Sequence, residues 1–129
     1  MQQSRKKILI ADDSEDIRGS LSRLLNAYDI TTAPDGESAL KLALEEKPCL
    51  ILLDIDMPGL NGLQVLERLG EVTPRPTAVM LTGDTELETG IRAISLGAYA
   101  YLTKPFEKDR VLETVQAALA EHARRNSSR

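Results

Sequence analysis

Four places in the sequence bring chemically capable residues to the end of a short apolar run. Asp12 and Asp13 follow Lys7 to Ala11, Asp54 ends the run that opens at Cys49, Thr82 follows Thr77 to Leu81, and Lys104 comes just after Tyr99 to Leu102. Together, carboxylates, a hydroxyl and an ammonium suit phosphoryl transfer to a carboxylate, because the attacking oxygen and the phosphoryl oxygens need their charge neutralised as bonds form and break. No protonating residue is required at the attacking oxygen. Gathering three carboxylates has a cost: at ~4 Å and an effective dielectric near 20, each like-charged pair costs about 4 kcal/mol. A hard divalent cation such as Mg²⁺ would offset it, since it takes oxygen ligands and keeps positions for water and a phosphate oxygen. Lys104 adds a second positive charge.

Short apolar runs alternate with amphipathic stretches along the whole chain. Lys7 to Ala11 reads as a strand, and Ile17, Leu21, Leu24, Leu25 and Tyr28 then recur at helical spacing. Ile30 to Ala33 is a weaker strand; Pro34-Asp35-Gly36 turns into a helix expected to carry Ala39, Leu40, Ala43 and Leu44 inward, and Pro48 stops it. Leu50 to Ile55 has the uniform apolarity of a central parallel strand covered on both faces. Pro58-Gly59 and Asn61-Gly62 form the loop before a helix carrying Leu63, Val65, Leu66 and Leu69. Thr77 to Leu81, a helix with Leu87, Ile91 and Ile94, the stop at Gly97, Tyr99 to Leu102, and a last helix from Lys108 to about Glu121 complete the pattern. Crossovers of this length imply a doubly wound α/β domain with a parallel sheet, in which ligands bind beyond the carboxyl ends of the strands at the topological switch point. All four chemically capable positions fall on that rim.

Plain structural uses compete with the chemical ones. Asp13 or Ser14 could cap the first helix, Thr82 could cap the fourth, and Lys104 before Pro105 could be a solvated turn residue. Tyr99 and Tyr101 have the alternating spacing of strand residues that only pack. Asp54 at the end of an apolar strand has few such uses.

Length and composition bound the remainder. The 129 residues suit one domain, 42% hydrophobic and 28% charged content is ordinary for a globular chain, and there is no signal-like start or membrane-length apolar run, so a cytoplasmic location is expected. Residues 1–5 read as a disordered lead, 6–121 as the domain, and 122–129 as a tail or the start of a linker. The net charge of −4 argues against direct nucleic-acid binding; the basic cluster of Arg124, Arg125 and Arg129 falls in that tail, and His122 beside it reads as a surface residue. Cys49, the single cysteine, reads as a buried packing residue.

Four motifs, Ile10-Ala11-Asp12-Asp13, Leu53-Asp54-Ile55-Asp56-Met57-Pro58-Gly59-Leu60-Asn61-Gly62, Leu81-Thr82-Gly83-Asp84 and Tyr101-Leu102-Thr103-Lys104-Pro105-Phe106, stand in order, each at a strand end. In them the chain resembles the receiver domain of bacterial two-component response regulators from roughly Lys6 to Leu119, and their joint occurrence is far more specific than any one alone. The resemblance implies a flavodoxin-like (βα)5 fold with a five-stranded parallel sheet. It implies Asp54 as phosphoacceptor, Asp13 and Asp54 as direct Mg²⁺ ligands with Mn²⁺ as a substitute, the Asp56 backbone carbonyl as a further ligand, and Asp12 acting through water. Thr82 and Lys104 would bind the phosphoryl group, Thr82 and Tyr101 would form the switch, and the bond before Pro105 would be cis. Asp56 and Asp84 would flank the path of a water attacking the phosphoryl group and tune the lifetime of the phosphorylated state. Implied partners are a sensor histidine kinase or phosphotransfer protein, and an output domain, second receiver or second copy at the surface of helix 4, strand 5 and helix 5. The resemblance makes the chain a signalling domain that catalyses its own phosphorylation and dephosphorylation, not an enzyme acting on a separate substrate.

Two other classes compete with this one. Asp54-Ile55-Asp56 also resembles the nucleophile motif of haloacid dehalogenase-type phosphohydrolases, but that motif normally follows the first strand of a larger chain. A flavodoxin-like module holding a flavin phosphate at the same rim would meet repulsion from Asp12, Asp13, Asp54, Asp56 and Asp84.

Overall fold

The computed structural model of the chain describes residues 5–83 and 87–127. Strands β1 (Lys7–Ala11), β2 (Asp29–Ala33), β3 (Leu50–Asp54), β4 (Thr77–Thr82) and β5 (Ala100–Thr103) alternate with helices α1 (Glu15–Leu24), α2 (Gly36–Glu46), α3 (Gly62–Leu69), α4 (Leu87–Ser95) and α5 (Lys108–Ser127). The strands form one parallel sheet in the order β2-β1-β3-β4-β5. The chain leaves β1 toward β2 and returns to β3 on the other side of β1, so the direction of winding reverses between β1 and β3. Ala11 lies opposite Leu53 in that pair, which sets Asp12 and Asp54, the next residues of each strand, side by side at the switch point.

Strand periodicity divides the core into two layers. Leu9, Ala11, Ile51, Leu53 and Met80 face α2, α3 and α4, while Ile8, Ile10, Leu50, Leu52, Val79 and Leu81 face α1 and α5. Every residue of β3 and β4 is buried, as expected for central strands covered on both sides. Leu52, fully buried in the second layer, is the kind of position where truncation to alanine costs about 2–5 kcal/mol.

Several expectations are corrected by the packing. Leu44 is exposed rather than inward, because Ala39 and Ala43 are the α2 residues that meet the sheet and Leu40 is only half-buried. On α4 the small Ala93 takes the buried position, leaving Ile91 and Ile94 on the outside at 58% and 47% exposure. The last helix runs past Glu121 to Ser127 instead of fraying, with Arg124 paired to Glu121 at 2.8 Å and Arg125 donating to the Arg75 carbonyl at 2.7 Å. His122, expected on the surface, is half-buried, with Nδ1 3.2 Å from the hydroxyl of Thr77. Cys49 is half-buried and packs against the second layer. Among the described residues no helix is long and apolar enough to cross a membrane.

Candidate functional site

Each acidic residue of the rim is placed by the end of a strand. Asp12 extends the β1–β2 ladder by donating its N–H to the Ala33 carbonyl at 3.1 Å, and is wholly buried. Its Oδ1 accepts from the Ser14 N–H at 2.9 Å, while the Ser14 side chain accepts from Ile17 N–H and caps α1. The capping duty therefore falls to Ser14, and Asp13 is left exposed at the rim. Asp54 closes β3 at 1% exposure, and its Oδ1 accepts from the Asp56 N–H at 3.2 Å. Gly62 makes this arrangement possible, because a Cβ there would collide with the Asp54 carbonyl oxygen as α3 begins.

Lys104 reaches into the same space from the end of β5. Its Nζ lies 3.0 Å from Asp12 Oδ2 and 3.3 Å from Asp54 Oδ1. Its backbone N–H donates to the Thr82 carbonyl at 2.8 Å, and the Lys104-Pro105 bond is cis. Thr82, the last residue of β4, is buried. Asp12, Asp13 and Asp54 each bring a carboxylate oxygen within 4.8 Å of the others. Thus the switch point holds three carboxylates, one ammonium and a buried hydroxyl.

The charges are incompletely balanced. Burial, then the charge of Asp12, pushes the Asp54 carboxyl up from 3.8 to about 6, against the opposing pull of Lys104. Burial works against the Lys104 ammonium, but its close contact with Asp12 and the charges of Asp54 and Asp12 outweigh it and hold the group above its usual range. Asp12 Oδ2 is buried with no aligned hydrogen-bond donor, although the ammonium is close enough to count as an ion pair. A clustered set of hard oxygens, one of them buried without a hydrogen bond, fits a divalent cation of the Mg²⁺ type.

A model of the response regulator receiver domain matches residues 8–116. The chain belongs to the response regulator receiver domain family. This receiver domain is 42% identical over 116 residues to the alkaline phosphatase synthesis transcriptional regulatory protein PhoP of Bacillus subtilis, covering 88% of this chain and 48% of that protein. It is 33% identical over 116 residues to sporulation initiation phosphotransferase F of the same organism, covering 88% of this chain and 94% of the relative. Among solved structures, the receiver domain of NtrX from Brucella abortus superposes with a TM-score of 0.81 at 36% identity, covering 88% of this chain and 98% of that one. The chain spans about a quarter to a half of the length of several curated relatives, at 48%, 26%, 25%, 51% and 46%.

Of the other expected residues of the receiver domain, two are described. Asp56 is exposed just beyond Asp54, and Asp84 lies outside the described residues. Tyr101 is 42% exposed on β5, opposite Met80, and its ring stands beside Gly90 of α4. One contact escaped the sequence reading: Arg18, half-buried on α1, donates from Nη1 to the Asp12 carbonyl at 2.8 Å. A cation one turn past a helix cap is common on any solvated helix face, so its type and spacing gave no signal.

Proposed function

We propose that this receiver domain accepts a phosphoryl group on Asp54 from the phosphohistidine of a sensor kinase or phosphotransfer protein in a Mg²⁺-dependent reaction. The observation that carries the reading is the convergence of Lys104 Nζ on both Asp12 and Asp54, with Asp13 beside them at the sheet's switch point. An ionised Asp54 oxygen attacks phosphorus, an acyl phosphate forms, and the breaking P–N bond returns its electron pair to the donor imidazole. Lys104 moves from its carboxylate partners onto a phosphoryl oxygen, and Thr82 donates its hydroxyl to another. Asp13, Asp54 and the Asp56 carbonyl would hold the cation, with Asp12 acting through water; when bound, it supplies further neutralisation of the phosphoryl charge. Asp56 and Asp84 would tune hydrolysis of the acyl phosphate.

The response leaves through β5. Thr82, drawn toward the phosphoryl group, vacates space into which the Tyr101 ring turns, altering a face that already exposes Ile91, Ile94, Tyr99 and Tyr101. An adjoining cavity of about 570 Å³ is lined by Tyr99, Tyr101, Phe106 and Arg110, among others, and suits an output domain, a second receiver or a second copy. The phosphoryl group shifts this two-state element only by its differential interaction with the two states. The cytoplasm is the compartment that fits such partners.

Incubation with a small phosphodonor and Mg²⁺ should give an acid-stable, base-labile phosphoryl adduct by mass spectrometry, not formed when the cation is chelated beforehand and absent in Asp54→Asn. Labelling of Asp54→Asn at the wild-type rate would move the acceptor elsewhere. Thr82→Ala should still accept the phosphoryl group, more slowly, and lose most of the change in Tyr101 ring shifts that beryllofluoride induces in the wild type.

A further inference from the structure

Among the described residues, no hydrogen bond or ion pair holds the Asp13 carboxylate, which stands exposed at the rim. The direction in which its side chain leaves the backbone is set by the two rigid peptide planes that flank its Cα. One plane carries the Asp12 carbonyl, which accepts from Arg18 Nη1 at 2.8 Å. The other carries the Ser14 N–H, which donates to Asp12 Oδ1 at 2.9 Å. Both rotations about Asp13 are thus pinned, one by Arg18 and one by the Asp12 carboxylate. The two pins differ in independence. Asp12 belongs to the acidic centre and responds to any cation there, whereas Arg18 is anchored outside it: its N–H donates to the Ser14 carbonyl at 3.0 Å, and Ser22 donates its hydroxyl to the Arg18 carbonyl at 2.7 Å.

We propose that Arg18 is a positioning residue of the acidic site, whose guanidinium holds the Asp12 carbonyl and so aims the Asp13 carboxylate at the divalent cation. The inference rests on the reading of Asp13 as a metal ligand. A role through charge alone has the opposite sign: a cation near three carboxylates disfavours a second cation, so its removal would tighten metal binding. A role through geometry makes removal weaken binding, as the loss of groups that orient ligands does elsewhere.

The test is Mn²⁺ affinity, read by the electron paramagnetic resonance of the free ion, in the wild type, Arg18→Ala, Arg18→Lys and Asp13→Asn. Arg18→Ala should weaken binding by about tenfold, and Arg18→Lys, which keeps a donor on a long stem, should recover part of the loss. Unchanged or tighter binding in Arg18→Ala, alongside weakened binding in Asp13→Asn, overturns the role of Arg18 and leaves the metal reading standing. Wild-type affinity in Asp13→Asn overturns both. If Arg18→Ala does not fold, Arg18→Gln, which also removes the charge, is judged by the same criteria.

Discussion

Thr77 and Thr82 open and close the same strand, each 2% exposed, yet their surroundings are opposites. At the base of β4, the Thr77 hydroxyl meets His122 Nδ1 at 3.2 Å, Arg125 Nη2 stands 3.2 Å from that nitrogen, and Asn126 Nδ2 is 2.8 Å from Nε2. A neutral ring that accepts from Arg125 at Nδ1 carries its proton on Nε2 and donates it to Asn126 once that amide is turned to present its oxygen, so this end is satisfied without charge on the ring. At the rim, Asp54 is destabilised by burial and by Asp12, and Asp12 Oδ2 lacks a hydrogen bond. The base is arranged so that nothing needs to bind; the rim is left with an excess of negative charge that a cation can relieve. Stability and reactivity are thus separated along one strand.

The sharpest way to break the contrast is to supply what the rim lacks. If Mg²⁺ binds only the assembled rim, a hundredfold excess over its dissociation constant should stabilise the fold by about 2.7 kcal/mol. Coincident melting curves with and without Mg²⁺ would show that the rim is not a metal site, and Asp13→Asn should shrink the response. Removing the destabilised charge comes next. Asp54 has a folded pKa raised from 3.8 to about 6, so the folded state binds the extra proton between those values and stability falls as pH rises through that window. Asp54→Asn removes that loss and should raise apo stability at pH 7 by about 2 kcal/mol, below the full linkage value of about 3 kcal/mol because solvent and local relaxation absorb part of it. Urea midpoints at pH 4 and pH 7 would show it, and an Asn variant no more stable than the wild type at pH 7 would contradict it.

The difference between the two ends also explains what could be read from sequence. The rim was legible because Asp12, Asp54, Thr82 and Lys104 interrupt apolar runs at their carboxyl ends, and a parallel sheet brings those ends together whatever the packing details. The base was not, because His122 and Arg125 meet Thr77 and Arg75 only through the tertiary docking of α5 on β4. That docking carries the helix past Glu121. Apolar residues misled where a helix offers the sheet a small residue: Ala93 fits against it, and the periodicity of Ile91 and Ile94 describes the opposite face. Arg18 was invisible for a related reason, since its target is a backbone carbonyl, which no side-chain pattern marks.

The smallest expected effect tests whether the two ends are independent. Burial, then the charges of Arg125 and Lys6, lower the pKa of His122, the chain's single histidine. Its contribution to stability is therefore fully present above the unfolded value of 6.5 and is lost as pH falls through and below it, because the unfolded chain takes up the proton more readily. This is the reverse of the Asp54 dependence. His122→Ala should cost about 1 kcal/mol at pH 8, the scale of one hydrogen-bonded contact, and should flatten the acid loss that remains near pH 6 in an Asp54→Asn background. Because one histidine gives one Hε1 resonance, its titration can be followed directly by NMR. The midpoint should lie below 6.5 in the wild type and stay the same in Asp54→Asn, since the charge removed lies at the opposite end of the sheet, where β3 closes. A midpoint at or above 6.5 would mean the ring is not held neutral against Arg125, and a midpoint that moves on Asp54→Asn would mean that β4 transmits the state of the rim to the end of α5.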